Sequence, residues 1–236
     1  MTNAPEFIID KSMRLIARYL AAGKVTTVAR GIENLPTQGP ALIVARHYHH
    51  LFDGLTFFAA VKRRFHIVVT MDWVENRRTK VFMQAINRTA RWPMLLRSDA
   101  LQRHENRQHP LFSSRDVTRY QRQTLRDAIE LLVEGRLLVV FPEGYPNVDP
   151  TYTPKTEADQ FLPFKPGFLN IVRAAEVRLG RKIPIVPAGL YYEQGNIWRG
   201  YLTFGEAIYR DETVTRDGLI DRLENEVKRL SSVAVQ

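Results

Sequence analysis

The string Arg46-His47-Tyr48-His49-His50-Leu51-Phe52-Asp53-Gly54 gathers three of the chain's six histidines beside an aspartate, directly after the apolar run Ala41 to Ala45. A histidine just past a strand, with an aspartate on the first turn of the next helix, is a general base held in one tautomer by a carboxylate. A second string, Phe141-Pro142-Glu143-Gly144, ends the apolar run Leu137 to Val140 and sets a carboxylate and a glycine on the loop leaving a buried strand. That is where α/β proteins place chemistry. With no cysteine and no Gly-x-Ser-x-Gly elbow in the chain, such a base would activate a substrate hydroxyl or a water rather than a protein nucleophile. The chemistry expected is direct transfer or hydrolysis.

Two other readings of the histidines stand beside this one. His47, His49, His50 and Asp53 are all side chains that ligate zinc. Taken alone, the cluster would equally suit helix caps and surface polar groups. His104-Glu105 followed by His109 is no zincin motif, because its histidines are five apart rather than four, a turn of roughly 140° on a helix.

The elements that must position these residues alternate between strand and helix. Strands are expected near 24–30, 41–45, 66–71, 94–96, 137–141, 185–190 and 201–204, with helices over about 50–62, 79–90, 116–134, after Pro166-Gly167, and over 217–233. This is an α/β pattern. The polar stretches 98–116 and 147–160 read as surface loops. In residues 7–22, Ile9, Met13, Ile16 and Leu20 recur at helical spacing while Lys11, Arg14 and Arg18 form a separate stripe. This is an amphipathic basic helix, either packed on its own domain or lying in a membrane interface.

Composition bounds the function. An apolar content of 44 % over 236 residues supports one sizeable core. The absence of cysteine excludes disulfides and thiolate metal sites and fits a reducing compartment. The charged residues between Asp10 and Lys24 interrupt every apolar run well short of the roughly 20 residues of a spanning helix, so neither a signal peptide nor a membrane crossing is expected. A formal charge of +9 calls for an anionic partner. Nine of the basic residues lie between Lys62 and Arg97 against only Asp72 and Glu75, which predicts a basic face beside the His/Asp segment. No nucleic-acid recognition motif accompanies the charge.

In order and spacing, the His/Asp string, Arg97-Ser98, Phe141-Pro142-Glu143-Gly144, Phe164-Lys165-Pro166-Gly167, Ile183-Pro184-Ile185-Val186-Pro187 and Phe204-Gly205-Glu206 resemble the glycerolipid acyltransferases typified by lysophosphatidic acid acyltransferase. The resemblance runs from about Val25 to Ile208, and Gly31-Ile32-Glu33-Asn34-Leu35-Pro36 looks like the family's usual approach to its catalytic strand. It implies a single α/β domain over 25–210 with a mixed central sheet flanked by helices. An amphipathic helix over 1–24 precedes it, and a C-terminal helix over 211–236 packs on it. It also implies transfer of a fatty acyl group from acyl-CoA or acyl carrier protein to a hydroxyl of a lysophospholipid or related glycerolipid, lysophosphatidate foremost. The thioester is then a substrate, and no cofactor or metal takes part. The enzyme would be cytoplasmic and peripheral, on the anionic inner face of a membrane. By the resemblance, Asp53 orients the base, Arg97 helps form the acceptor's phosphate site, and the Glu143-Gly144 loop lines the same pocket.

Two departures from the family pattern bear on the site. The family has His, four residues, Asp, yet Tyr48 stands five before Asp53. Strand register favours His47 as the base, whereas helical spacing from Asp53 favours His49. Where the family continues Gly-Thr-Arg, this chain has Gly144-Tyr145-Pro146 and lacks a cationic phosphate ligand, so Tyr145 becomes a candidate for stacking on, or hydrogen-bonding to, the acceptor. The alternatives carried forward are a catalytically silent lipid-binding protein on the same scaffold and a thioester or lipid hydrolase.

Overall fold

Ala41 to Ala45 and Leu137 to Val140 carry no polar residue on either face, the pattern of strands covered on both sides. In the computed structural model, which describes residues 4–102 and 109–232, they lie side by side at the centre of the sheet. In chain order the elements are α1 (Ala4–Ala21), β1 (Val25–Arg30), β2 (Ala41–Ala45), α2 (Phe52–Ala60), β3 (Phe65–Ile67), β4 (Val69–Thr70), α3 (Arg77–Ala90) and β5 (Met94–Leu95). There follow α4 (Ser98–Gln102), α5 (Ser114–Val133), β6 (Leu137–Val140), α6 (Gly167–Leu179), β7 (Ile185–Glu193), β8 (Trp198–Phe204) and α7 (Arg216–Leu230).

The main sheet has the order β1-β8-β7-β2-β6-β3, and every pairing is parallel except β7 with β8. It is a mixed sheet in an α/β fold, as expected. Because β2 and β6 are parallel neighbours in register from Ala41↔Leu137 to Val44↔Val140, the loops that follow them leave the sheet side by side. This brings 46–53 and 141–146 together from opposite halves of the sequence. Pleating sends Ile43 and Val139 to one face, under α1 and α2, and Leu42, Val44 and Leu138 to the other, under α5, α6 and α7. A third cluster, Met71, Val74, Leu96, Phe112, Val117 and Tyr120, fills the space behind β4 and β5.

The structure departs from the sequence reading at several points. The strand expected over 66–71 is broken at Val68, whose N–H still bonds the Val139 carbonyl at 3.1 Å while that of Val69 bonds Pro93 at 3.0 Å. The chain changes partner there, and β4 pairs with β5 in a separate two-stranded sheet. The stretch 98–116 is not simply surface loop: it includes α4, and His109 and Phe112 are buried. His104 and Glu105 lie outside the described residues. The basic residues of 62–97 do not all form a free face either. Arg63 donates to the carbonyls of Pro36, Gly39 and Gly135, closing the loops before β2 and β6, and Arg91 forms a bidentate pair with Glu134.

Gly31 is required for close approach. Its φ is 66°, and a Cβ there would sit 2.1 Å from the Phe204 carbonyl oxygen, which also accepts from Asn34 Nδ2 at 3.0 Å. This contact ties the entry to β2 to the end of β8.

The N-terminal helix packs on the domain through the apolar side read from its sequence: Ala17 is buried, and Met13, Ile16 and Leu20 line the cavity described below. Arg14 turns inward too, donating to the carbonyls of Phe58, Val61, Lys62 and Arg63 and so capping the C-terminus of α2. A second apolar stripe on the opposite side, Ile8, Leu15 and Tyr19, is 64, 69 and 82 % exposed. No helix among the described residues is long and apolar enough to cross a membrane.

Candidate active site

Asp53 sits on the first turn of α2, where the helix dipole favours a negative charge, and is almost completely buried. Its carboxylate accepts four hydrogen bonds. Oδ2 takes His47 Nδ1 and the Tyr48 N–H, both at 2.8 Å; Oδ1 takes the His49 N–H at 3.0 Å and the Tyr192 hydroxyl at 2.9 Å. Since an ionised carboxylate only accepts, the neutral His47 ring carries its proton on Nδ1 and keeps the Nε2 lone pair for chemistry. The ring stacks on Phe141, with centroids 4.5 Å apart, and lines the cavity.

His49 occupies the i−4 position but uses its backbone, not its ring, to reach Asp53. Its Nδ1 accepts the N–H groups of Leu51 and Phe52, each at 3.2 Å, a capping arrangement at the start of α2. Its ring lies against Phe52 at 4.0 Å, and burial pushes its pKa down to about 4. His50 is exposed and donates through Nδ1 to the Val148 carbonyl at 3.2 Å. Of the three histidines it is therefore His47 whose ring meets Asp53. Among the described residues no group of three or more acidic or histidine side chains is arranged to hold a metal ion.

Glu143 is not on the pocket wall. It is buried beneath the dyad, where Oε1 accepts the His47 N–H and Oε2 the Leu162 N–H, both at 2.9 Å. Oε2 also pairs with Lys155 Nζ at 2.6 Å, and neither side chain has any exposed surface. Lys155 Nζ donates in turn to the His47 carbonyl at 2.9 Å and to Asn147 Oδ1 at 3.0 Å. The two charges thus grip the two peptide groups flanking the His47 Cα. Burial lowers the Lys155 pKa. Arg46 lies nearby, buried over Phe161 at 4.2 Å, with its pKa also lowered by burial.

Arg97 lines the cavity, but it is braced rather than free. Nε and Nη2 bond the Asp72 carboxylate, with Nε to Oδ2 at 3.0 Å, and Nη1 donates to the Gly144 carbonyl. Gly144 turns that carbonyl toward it at φ 78°, in the left-handed region. Among the described residues no further acceptor meets the second hydrogen on each terminal nitrogen, which leaves both for a ligand. Tyr145 does not reach the cavity. It is buried as a platform beneath Arg97, 3.9 Å from the guanidinium, and its hydroxyl donates to Asp99 Oδ2 at 2.8 Å. Lys165 supplies a second cation on the wall, partly exposed and 3.4 Å from Asp99.

These groups open onto a cavity of about 1010 Å³ whose walls come from α1, α2, β4, α3, α5 and α6 and are largely apolar. That is at the upper end of the roughly 300–1,000 Å³ of small-molecule pockets and leaves room for a long hydrocarbon chain. Sequence reasoning missed three residues that set the geometry. Lys155 lies in a polar loop read as surface, Tyr192 near the end of a strand, and Asp72 just past one. Only Asp72 left a signal, as one of two acids in the basic stretch.

Comparison with known proteins agrees with this architecture. No curated protein sequence matches the chain. Its fold is similar to that of the 1-acyl-sn-glycerophosphate (LPA) acyltransferase PlsC from Thermotoga maritima, at 19 % identity and a TM-score of 0.56, covering 95 % of this chain and 77 % of that one. The acyltransferase family profile matches residues 27–191, from β1 through most of β7 and so across both halves of the site. The chain belongs to the acyltransferase family.

Proposed function

We propose that this acyltransferase is an O-acyltransferase that moves a fatty acyl group from acyl-CoA or acyl carrier protein to a hydroxyl of a lysophospholipid or related glycerolipid, with lysophosphatidate as the leading acceptor. The observation that carries the reading is the His47–Asp53 pair at the wall of a large apolar cavity, with no partner on Nε2 among the described residues. His47 Nε2 takes the acceptor hydroxyl's proton as its oxygen attacks the thioester carbonyl. The tetrahedral intermediate then expels the thiolate, which recovers the proton from the imidazolium, so the products are ester and free thiol. Asp53 holds the tautomer and stabilises the imidazolium. General-base assistance of this kind contributes roughly 10²–10⁴-fold, and alignment of both substrates can add up to about 7–11 kcal/mol. The thioester is a substrate, and the reading uses neither cofactor nor metal.

The apolar cavity accommodates the acyl chain. The two spare N–H groups of Arg97, together with Lys165, form the cationic end that meets the acceptor phosphate in place of the arginine lost at Tyr145-Pro146. Glu143 and Lys155 position the base. The enzyme docks peripherally on the anionic inner face of a membrane, with the exposed Ile8, Leu15 and Tyr19 of α1 in the interface beside Lys11 and Arg18. Thiol release from long-chain acyl-CoA and acyl carrier protein, with and without lysophosphatidate, tests the reading. Release that requires the acceptor supports transfer, and release that is indifferent to it means a hydrolase.

A further inference from the structure

Three of the four donors to Asp53 belong to residues 47–49, the segment immediately before its own helix. The fourth comes from the sheet. Tyr192, on β7, is 139 positions along the chain, and its hydroxyl reaches Asp53 Oδ1 at 2.9 Å. An ionised carboxylate cannot donate, so the phenolic proton points to Asp53, and the Thr56 hydroxyl, 3.2 Å away, donates to the tyrosine oxygen in turn. The bonds run in one direction, Thr56 to Tyr192 to Asp53, and meet the His47 Nδ1–H bond at the other carboxylate oxygen.

The surroundings hold this hydroxyl in place. Tyr192 is buried, its ring packed near those of Tyr48, Phe52 and Trp198. Its cross-strand partner on β8 is Gly200, where a Cβ would lie 2.8 Å from Tyr192 Cε1 and 3.0 Å from Thr56 Oγ1. Burial and the adjacent carboxylate keep the phenol protonated, raising its pKa well above the ordinary range, so it stays a donor throughout the working pH range.

We propose that Tyr192 is a positioning residue for the catalytic dyad: its hydroxyl anchors Oδ1 of Asp53 to the sheet, so that Oδ2 stays aimed at His47 Nδ1. The torsion of a carboxylate about its own axis is broad, and among the described residues Tyr192 supplies the one bond to Asp53 from outside the 47–49 segment. The inference rests on His47 being the base, as proposed above.

The test is Tyr192→Phe in the full chain, which keeps the ring and removes the hydroxyl. Acceptor-dependent turnover (kcat) should fall about 10-fold, the loss of one hydrogen bond to a charged group expressed as a rate, while KM for donor and acceptor stays within about twofold. The low-field proton resonance of His47 Nδ1–H, assigned with ¹⁵N-histidine and the His47→Ala variant, should shift or broaden. Thr56→Val, which leaves the Tyr192–Asp53 bond intact, should change both readouts much less. If Tyr192→Phe does not fold, Gly200→Ala displaces the same hydroxyl and should alter the same resonance. Unchanged kcat and an unmoved resonance in Tyr192→Phe, or in Gly200→Ala where Tyr192→Phe does not fold, with only stability lost, would overturn the proposal and leave Tyr192 a filled core position. The resonance needs no substrate, so wild-type protein that releases no thiol with any acceptor would refute the transfer reading while the spectrum still decides the role of Tyr192.

Discussion

Replacing Lys155 with methionine tests the support beneath the base. The substitution keeps most of the apolar stem and removes an ammonium that lies 2.6 Å from Glu143 in a fully enclosed site. Removing one member of a buried ion pair costs about 3–5 kcal/mol because the other charge is left uncompensated. The Arg46 charge, which also acts on Glu143, favours the lower end, about 3 kcal/mol. Against the roughly 5–15 kcal/mol that holds an ordinary domain together, the variant should fold but with a clearly reduced urea midpoint. Activity should fall further than stability predicts. Lys155 donates to the carbonyl of His47 and Glu143 accepts its N–H, so the loss frees one end of the base's backbone. A displacement of 1 Å can cost about 10²-fold in rate. The double variant Lys155→Met/Glu143→Gln removes the stranded charge and should recover much of the stability but little of the turnover. A Lys155→Met protein with wild-type midpoint and wild-type thiol release would refute this account of the clasp.

Asp53→Asn should leave the fold intact and reduce turnover by roughly 10²–10⁴-fold, because an amide neither selects the tautomer nor stabilises the imidazolium; steady-state kinetics with a circular-dichroism control checks this. Arg97→Ala should mainly raise KM for a phosphate-bearing acceptor, and an unchanged acceptor dependence would remove Arg97 from that site. His49 and His66 are buried neutral, each with a pKa lowered from 6.5 to about 4, chiefly by burial. The unfolded chain therefore binds more protons between pH 6.5 and 4, and stability falls as pH drops through that window, by up to about 3 kcal/mol for each group. Urea midpoints at about pH 7 and about pH 4 read it, and equal midpoints would contradict it. Leu15→Asp with Tyr19→Asp should weaken sedimentation with anionic vesicles by at least about 10-fold while sparing the fold, since each apolar side chain buried in an interface is worth about 1.5–3 kcal/mol.

How far the site could be read from the sequence depended on how local its causes are. The elements around β2, α2 and β6 follow from unbroken apolar runs and helical spacing, and the dyad sits where a strand gives way to a helix. The displaced histidine could not be resolved that way. Choosing between His47 and His49 depends on which ring faces Asp53, and the backbone N–H of His49 takes the place its ring might have held. Glu143 was legible as a functional carboxylate but not as a buried one, because its partner Lys155 arrives from a loop whose polarity is that of ordinary surface. Tyr145 was expected at the acceptor and instead lies beneath Arg97, since Asp99 satisfies its hydroxyl away from the cavity. The change of partner at Val68 is a tertiary event: its neighbours β6 and β5 compete for the same strand, and nothing in the local pattern announces the switch.

The most direct test of the central claim is acceptor-dependent thiol release by wild type, His47→Ala and His49→Ala, compared at equal folded concentration. Release should be abolished in His47→Ala and persist within a few-fold in His49→Ala, whose loss is that of a helix cap worth about 1 kcal/mol. Full activity in His47→Ala, or its loss only in His49→Ala, would contradict the assignment of the base.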